Sequence, residues 1–323
     1  MKSAVQMNKH GNLTKLAQLA GVSLTTASRA LNNHPYVSEE IRKRVFETAS
    51  RLNYLPRRAA RKKKVGIVIS NPGNARINFY QGAMLSELAR QSSARNISLE
   101  IISTADIELI EQNFLRAVIV FHETAVLDLK KCPNASFIGI NTRLPGFPAI
   151  VSDDAKAISD AVDLFYRSGV SKPAIVLPHR CSSGHIAMRR DTFLECCRRK
   201  AHPAPESCIV FLDEDPLSCI EALYRKEKIN GLLIPGEDMA PRVNFIINSL
   251  DLKVPEDLSV IAWESAGLSE FTYPPQTTFA QNYTELVRHA LDLAESVLEG
   301  EKVTAGSDCL IPYIFNERLS VKK

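Results

Sequence analysis

Residues 16–32 read LAQLAGVSLTTASRALN, and this stretch decides the fold of the N-terminal part of the chain. Apolar residues recur at helical spacing before Gly21, which predicts a first helix that ends at this glycine. Ser23 is a natural N-cap for a second helix. The buried stripe of that second helix is apolar and small: Ala27, Ala30 and Leu31. Two short helices joined by a glycine-containing turn are typical of a DNA-binding helix-turn-helix.

The outer face of the second helix carries mostly small hydrogen-bonding side chains, with Leu24 and Thr25 at its start. Arg29 can bind a guanine base through two hydrogen bonds. Three further residues are suited to phosphate oxygens: Thr26, Ser28 and Asn32. A small helical bundle with a polar outer face stays open as the alternative interpretation.

The charge is distributed unevenly along the 323 residues. Residues 1–64 hold 14 Lys and Arg against 3 Asp and Glu, a net charge of +11. Residues 65–323 hold 26 Lys and Arg against 33 Asp and Glu, a net charge of −7. A basic head on an acidic body indicates that the N-terminal end binds a polyanion, most often nucleic acid.

A third helical pattern and a basic linker follow. Ser38 is predicted to cap the third helix, and Pro56 marks the break after it. Six of the eight residues 57–64 are cationic, and we interpret them as a short linker in which Arg57 and Arg58 contact DNA phosphates. The predicted domains are therefore a DNA-binding domain at 12–56, a linker at 57–64 and a core at 65–323.

From Val65 onward, short apolar runs alternate with amphipathic stretches. This alternation predicts parallel α/β sheets, and the length allows two of them. The predicted strands are residues 65–69, 97–102, 117–121, 137–140, 174–177, 209–212, 231–234 and 260–263. The clearest helical patterns between them are residues 155–167, 185–199 and 284–298.

Composition and motifs exclude several classes of function. No apolar stretch is long enough for a transmembrane helix, and residues 1–10 lack the apolar core of a secretory signal. Seven cysteines without a C-x-x-C pair fit a reducing cytoplasm. No nucleophile, phosphate-loop or metalloprotease motif is present, so we expect neither catalytic residues nor a cofactor. The His and Cys residues of 179–202 match no zinc spacing, and we expect no metal.

The N-terminal segment contains a dense set of motifs between Leu13 and Pro56. They are Leu16-Ala17-x-x-Ala20-Gly21-Val22-Ser23, Thr26-x-Ser28-Arg29-x-Leu31-Asn32, Val37-Ser38, Arg42, Val45 and Leu52-Asn53-Tyr54-x-Pro56. Together these motifs resemble the DNA-binding headpiece of the LacI-GalR family of bacterial transcriptional regulators. The resemblance implies base contacts from Leu24, Thr25 and Arg29. It also implies supporting contacts from Thr14, Thr26, Ser28, Asn32 and Tyr36.

The resemblance continues through the core. The matching stretches are Val151-Ser152-Asp153, Arg189 with Phe193, Glu237-Asp238-Met239-Ala240, Val254-Pro255-Glu256-Asp257-Leu258-Ser259-Val260, Pro274-Pro275-x-Thr277-Thr278 and Arg318-Leu319-Ser320. The fold class that the resemblance implies is an N-terminal all-α helix-turn-helix headpiece plus a periplasmic-binding-protein-like α/β core of two parallel-sheet subdomains. It also implies a repressor-like homodimer on a pseudo-palindromic operator. A small sugar or sugar derivative, bound between the subdomains, would control its DNA affinity.

Several residues at the implied ligand site differ from the family pattern. The candidate effector-binding residues are Arg76, Phe79, Asp153, Arg189, Glu237, Trp263 and Glu264. Arg76 falls near a position that is often aromatic in the family, although a shifted register would place Phe79 or Tyr80 there. Arg76 and Arg189 together would favour an anionic ligand such as a sugar acid or phosphate ester. Trp263 fits either the core or a stacking position on the ligand, and Glu264 is suited to paired sugar hydroxyls.

The linker differs from the hinge helix of the family, in which a leucine wedges into the minor groove. Residues 57–64 contain no leucine and run almost directly into the first strand. Because unstacking bases requires an apolar side chain, we hypothesise that this protein bends its operator less. The basic run either binds phosphates or a narrow minor groove, or is a solvated tether.

The sequence therefore predicts a cytoplasmic, nucleoid-associated regulator that binds double-stranded operator DNA and no membrane. Two alternatives stay open. One is a regulator whose core only dimerises and has lost its ligand response. The other is a solute-binding protein with the same core fold, against which the basic helix-turn-helix argues.

Overall fold

The computed structural model describes residues 13–32, 34–52, 54, 63–69, 79–121, 127–180, 184–200, 208–264, 267–306 and 308–323. Arg57, Arg58 and Arg76 lie outside the described residues, and so do residues 57–62 of the predicted linker. The hypothesis about operator bending therefore concerns residues outside this description.

Three helices form the headpiece: α1 (Leu13–Leu19), α2 (Leu24–Leu31) and α3 (Glu39–Arg51). Gly21 lies in the turn between α1 and α2 with a φ of +64°, a conformation that favours glycine. The Ser23 hydroxyl oxygen accepts a hydrogen bond from the Thr26 backbone N–H at 3.0 Å, which confirms the predicted cap. A small apolar core joins the three helices: Leu16, Ala17, Ala20, Ala27, Ala30, Val37, Val45 and Ala49.

The first core sheet has six strands in the order β11-β5-β4-β3-β1-β2. Its strands are β1 (Lys64–Ile69), β2 (Ser98–Ser103), β3 (Ala117–Val120), β4 (Ser136–Ile140), β5 (Ala149–Ser152) and β11 (Cys309–Ile311). Strands β1 to β5 pair in parallel, with Val65 opposite both Leu99 and Ala117. The helices that follow β1 and β2 are α4 (Phe79–Ala94) and α5 (Leu109–Gln112).

The second core sheet has the order β12-β10-β9-β8-β6-β7. Its strands are β6 (Pro173–Leu177), β7 (Ile209–Phe211), β8 (Gly231–Ile234), β9 (Ser259–Trp263), β10 (Thr277–Ala280) and β12 (Ile314–Asn316). The remaining helices are α6 (Asp154–Arg167), α7 (Gly184–Arg198), α8 (Pro216–Ala222), α9 (Ala240–Ser249) and α10 (Tyr283–Glu299). Only β12 is antiparallel to its neighbour among the pairs of this sheet in the described residues. Strands β6, β8 and β9 are buried throughout, as expected for parallel strands covered on both faces.

The chain divides into two compact units, each assembled from three separate segments. The first unit comprises Met1–Arg76, Leu88–Ile150 and Val287–Asp308, and it includes the headpiece. The second unit comprises Ile77–Glu87, Val151–Leu286 and Cys309–Lys323. The predicted fold class, a helical headpiece with two parallel α/β sheets, is confirmed. Within the described part of the chain, no helix has the length and apolar character needed to span a membrane.

Candidate functional site

The first candidate site is the exposed surface of the headpiece, here called the recognition face. It consists of Thr14, Leu24, Thr25, Arg29, Asn32 and Tyr36, all of which are exposed. Tyr36 is 89% exposed on the loop between α2 and α3. Thr26 and Ser28 are half-buried, and the Thr26 hydroxyl lies 2.8 Å from that of Ser23. Thr26 and Ser28 are therefore less exposed than the residues of the recognition face.

Arg42 holds the loop that presents Tyr36. Its Nη2 donates to the backbone oxygens of His34 at 3.3 Å and Val37 at 3.5 Å. The ring centroids of His34 and Tyr36 are 5.5 Å apart. The sequence indicated Arg42 only as part of a family motif, and the structure shows how it positions a predicted DNA contact.

The second candidate site is a buried polar cluster in the second unit, centred on Arg189 of α7. Arg189 Nε and Nη2 each donate to one carboxylate oxygen of Asp154 at 3.0 Å, and Nη1 donates to the Pro235 oxygen at 2.8 Å. Burial lowers the pKa of Arg189, but the charge and hydrogen bonds of Asp154 outweigh burial and raise the pKa overall. The guanidinium therefore stays charged, and Asp154 neutralises it.

Two aromatic side chains extend this network. The Tyr313 hydroxyl donates to Asp154 Oδ1 at 2.7 Å and accepts a hydrogen bond from Trp263 Nε1 at 2.9 Å. The ring centroids of Trp263 and Tyr313 are 5.1 Å apart. Trp263 is buried, so of its two predicted roles the structure shows packing in the core. Its indole N–H orients Tyr313, which in turn orients Asp154.

Glu237 is the second buried carboxyl group of the cluster. Its Oε2 accepts a hydrogen bond from the Tyr283 hydroxyl at 2.6 Å, while its buried Oε1 has no hydrogen-bond partner. The residue is only 8% exposed. Burial raises the pKa of Glu237 to about 7, although hydrogen bonds from Tyr283 and Gln281 act to lower it. A buried carboxyl oxygen without a hydrogen-bond partner is rare in native proteins.

We expect Glu237→Gln to change how stability depends on pH. Because the folded-state pKa is raised from 4.5 to about 7, this carboxyl favours folding below pH 4.5 and that contribution is lost as the pH rises through 7. The shift corresponds to about 3 kcal/mol. In urea denaturation, the Gln variant should gain stability relative to wild type between pH 5 and pH 8, at roughly this magnitude. Equal pH profiles for the two proteins would contradict this assignment.

The other predicted effector residues have different surroundings. Asp153 Oδ1 accepts a hydrogen bond from the Lys156 backbone N–H at 3.0 Å and caps α6. Phe79 is exposed at the first residue of α4. The structure brings Asp154, the neighbour of Asp153, to Arg189 instead.

Glu264 lies in an internal network that secures the C-terminal segment. Its Oε2 accepts from the Thr278 hydroxyl at 2.7 Å and from Arg318 Nη1 at 2.9 Å, and its Oε1 accepts from the Ser269 backbone N–H at 3.2 Å. Both carboxylate oxygens of Glu264 are therefore already engaged by the protein.

Sequence reasoning missed three residues of the polar cluster: Asp154, Tyr283 and Tyr313. Asp154 lies next to the predicted residue Asp153, and adjacent residues on a helix point in different directions. Nothing in the local sequence links Tyr313 to Asp154, from which it is separated by 159 positions. The described residues contain no group of three or more His, Cys, Asp or Glu side chains that could hold a metal ion.

Comparisons with known proteins agree with this architecture. The family model described as bacterial regulatory proteins, lacI family, matches residues 12–57. The model of a periplasmic binding protein-like domain matches residues 162–321. The catabolite control protein A of Priestia megaterium is 28% identical over 334 residues, covering 95% of this chain and 98% of that protein. The sucrose operon repressor of Streptococcus mutans is 22% identical over 298 residues, covering 87% of this chain and 91% of that protein.

Solved structures show the same fold. The lac repressor dimer bound to operator and the anti-inducer ONPF has a TM-score of 0.67 at 18% identity, covering 97% of this chain and 100% of that one. The transcriptional regulator CelR in complex with cellobiose has a TM-score of 0.67 at 18% identity, covering 96% and 100%. This chain combines a lacI-type headpiece with a periplasmic-binding-protein-like core. Its relatives match it along most of its length. The chain therefore belongs to the lacI family of bacterial regulatory proteins, and it is a DNA-binding transcriptional regulator rather than an enzyme.

Proposed function

We propose that this regulator is a cytoplasmic repressor that binds a pseudo-palindromic operator as a homodimer. A small, uncharged, hydroxyl-rich ligand of carbohydrate type binds at the polar cluster and controls its DNA affinity. The observation that carries the ligand proposal is the charge balance of the cluster: Arg189 is neutralised by Asp154, and the buried Glu237 has an unpartnered oxygen.

The chemistry of the cluster favours hydroxyl groups over an anion. A bound anion would have to compete with Asp154 for the Arg189 guanidinium, and it would lie near a second carboxyl, Glu237. Arg189 donates three of its five N–H bonds to Asp154 and Pro235, which leaves donor capacity for a neutral acceptor. A hydroxyl group can accept from Arg189 and donate to Glu237 Oε1. These features argue against the anionic ligand that the sequence suggested.

Two similar proteins bear carbohydrate names. The sucrose operon repressor is named for a neutral disaccharide, and the CelR structure contains cellobiose, another neutral disaccharide. Both support a sugar as the ligand class for this chain. The ligand and the operator would then influence each other's affinity by the same factor, because binding linkage is reciprocal.

An exposed apolar surface on the second unit supports the homodimer; we call it the dimer face. It comprises Phe245, Leu268, Phe271 and Tyr273. Phe245 is 69% and Tyr273 99% exposed. The Asn244 and Gln276 side chains hydrogen-bond at 3.1 Å and so tie α9 to the segment that carries the other three residues. Exposed aromatic side chains of this number are typical of protein interfaces.

Titration of DNA from the region upstream of the chain's own gene, at fixed salt, tests the proposal. We expect specific binding that Arg29→Ala weakens about 10- to 100-fold, since a bidentate base contact contributes roughly 1–3 kcal/mol. Arg44→Ala, which removes one charge from α3 outside the recognition face, is the matched control and should change affinity much less.

The same titration is repeated with pools of neutral sugars, sugar acids and sugar phosphates. A shift caused by a neutral pool supports the proposed ligand class, and a shift caused only by acids or phosphates refutes it. Specific DNA binding that no pool changes favours the regulator whose core only dimerises.

A further inference from the structure

The first unit contains a contact between the headpiece and the core that the proposed function does not use. Phe46 of α3 and Phe114, which follows α5, have ring centroids 5.4 Å apart and ring planes inclined at 33°. Phe114 also packs against the small apolar core of the headpiece. A side chain of the core therefore covers apolar surface that belongs to the DNA-binding domain.

The backbone of Phe114 adopts a conformation that favours glycine. Its φ is +55°, and its N–H donates to the Glu111 oxygen at 3.1 Å, so it ends α5 in a left-handed turn. Glycine is the usual residue at such a position, and a bulky side chain there costs free energy. The local fold of α5 does not favour phenylalanine, so the contact with the headpiece is what gives the ring a role.

A second contact anchors the last residue before β1. Lys63 Nζ lies 2.6 Å from Glu295 Oε1 and 3.9 Å from Glu299 Oε1, both on α10. Arg95 Nη1 lies 3.1 Å from Glu295 Oε2 and so holds this carboxylate from the other side. Because Lys63 directly precedes β1, this network secures the start of the core rather than the headpiece itself.

These contacts leave the recognition face open. Leu24 is 50% exposed, and Arg29 and Tyr36 are exposed, in the same structure that brings Phe46 to Phe114. The headpiece contacts the core through α3, whereas α2 carries the exposed residues Leu24 and Arg29. The contact therefore fixes the direction of the headpiece without covering its DNA-binding surface.

We propose that the Phe46–Phe114 contact docks each headpiece on its own core and thereby sets the distance between the two half-sites that a dimer binds. The inference rests on the proposed binding of a two-fold operator. It assigns to a core residue, Phe114, the positioning role that a hinge helix would otherwise fill.

Phe114→Gly is the variant of choice because glycine suits the left-handed backbone and removes the aromatic ring. Full-length wild type and variant are each used to select binding sequences from a random double-stranded DNA library. Wild type should enrich inverted repeats with one spacing. The variant should enrich the same half-site with dispersed spacings, and its affinity for the wild-type repeat should fall about tenfold while single half-site affinity changes less than about twofold.

Asn96→Gly is the matched control. Asn96 has the same φ of +55° after α4, and it is not among the residues packed on the headpiece core. This control should keep the wild-type spacing. Lys63→Gln, which loses the pair with Glu295 at the start of β1, should also keep the wild-type spacing.

A Phe114→Gly protein that still selects the single wild-type spacing would overturn the proposal. So would a variant that loses the half-site sequence itself, because Phe114 would then support the headpiece fold rather than its direction. If wild type enriches no DNA sequence, the proposed operator binding fails first, and the inference fails with it.

Discussion

Asp154→Asn should lower the free energy of unfolding of the second unit by about 3–5 kcal/mol, because it leaves the buried Arg189 charge without a counter-ion. The Arg189 and Asp154 side chains are only 13% and 7% exposed, so water cannot replace the lost carboxylate charge. Tyr313 would also lose the charged acceptor of its hydrogen bond. Urea denaturation followed by circular dichroism measures the change.

The double variant Asp154→Leu with Arg189→Met removes the whole ion pair, so it leaves no buried charge without a counter-ion. When both members of a buried ion pair are replaced by apolar residues of similar volume, stability is often unchanged or improved. We expect the double variant to recover most of the lost stability but to show no response to the sugar pools. If Asp154→Asn is as stable as wild type, the Arg189–Asp154 ion pair is accessible to water in solution.

Phe245→Asp combined with Tyr273→Asp should abolish the proposed dimer and reduce operator affinity by about 10²–10⁴-fold. The two substitutions place charges on the dimer face, where an unpaired carboxylate would have to be desolvated on association. Once the headpieces are no longer linked, the second half-site is bound without the benefit of effective concentration. Analytical ultracentrifugation and DNA titration measure the two effects.

Leu310→Asp is the control for this experiment. Leu310 is another exposed apolar residue of the second unit, but it lies on β11 rather than on the dimer face. It should leave both the dimer and the operator affinity near wild type. A double variant that stays dimeric would place the interface elsewhere on the chain.

Much of the fold could be predicted from the sequence because buried parallel strands appear as continuous apolar runs. All eight predicted strands are present, including Ala117–Val120 and Gly231–Ile234, where every residue is buried. Four strands were not predicted. Ala149–Ser152 follows β4 with no helix between them, so the alternation of strands and helices does not indicate it. The other three are short or begin with polar residues. Cys309–Ile311 and Ile314–Asn316 have three residues each, and Thr277–Ala280 begins with two threonines.

The candidate ligand site was less predictable because its geometry depends on pairing between distant segments. Arg189 was identified by its position, but its neutralisation by Asp154 changes the ligand chemistry that it supports. Asp153 and Asp154 are adjacent in sequence, but Asp153 caps α6 whereas Asp154 binds Arg189. For Glu264, the sequence cannot show that Arg318 and Thr278 occupy the carboxylate.

The segmented construction of the two units has a consequence for synthesis on the ribosome. The headpiece helices lie close together in sequence and can fold early, whereas the first unit is incomplete until Val287–Asp308 has emerged. At about 5–20 residues per second, the interval between Ile150 and Asp308 lasts roughly 10–30 s. During that time Lys63 and Arg95 have no Glu295 to bind, because α10 has not been made. A nascent chain would therefore carry a finished DNA-binding head on an unfinished core.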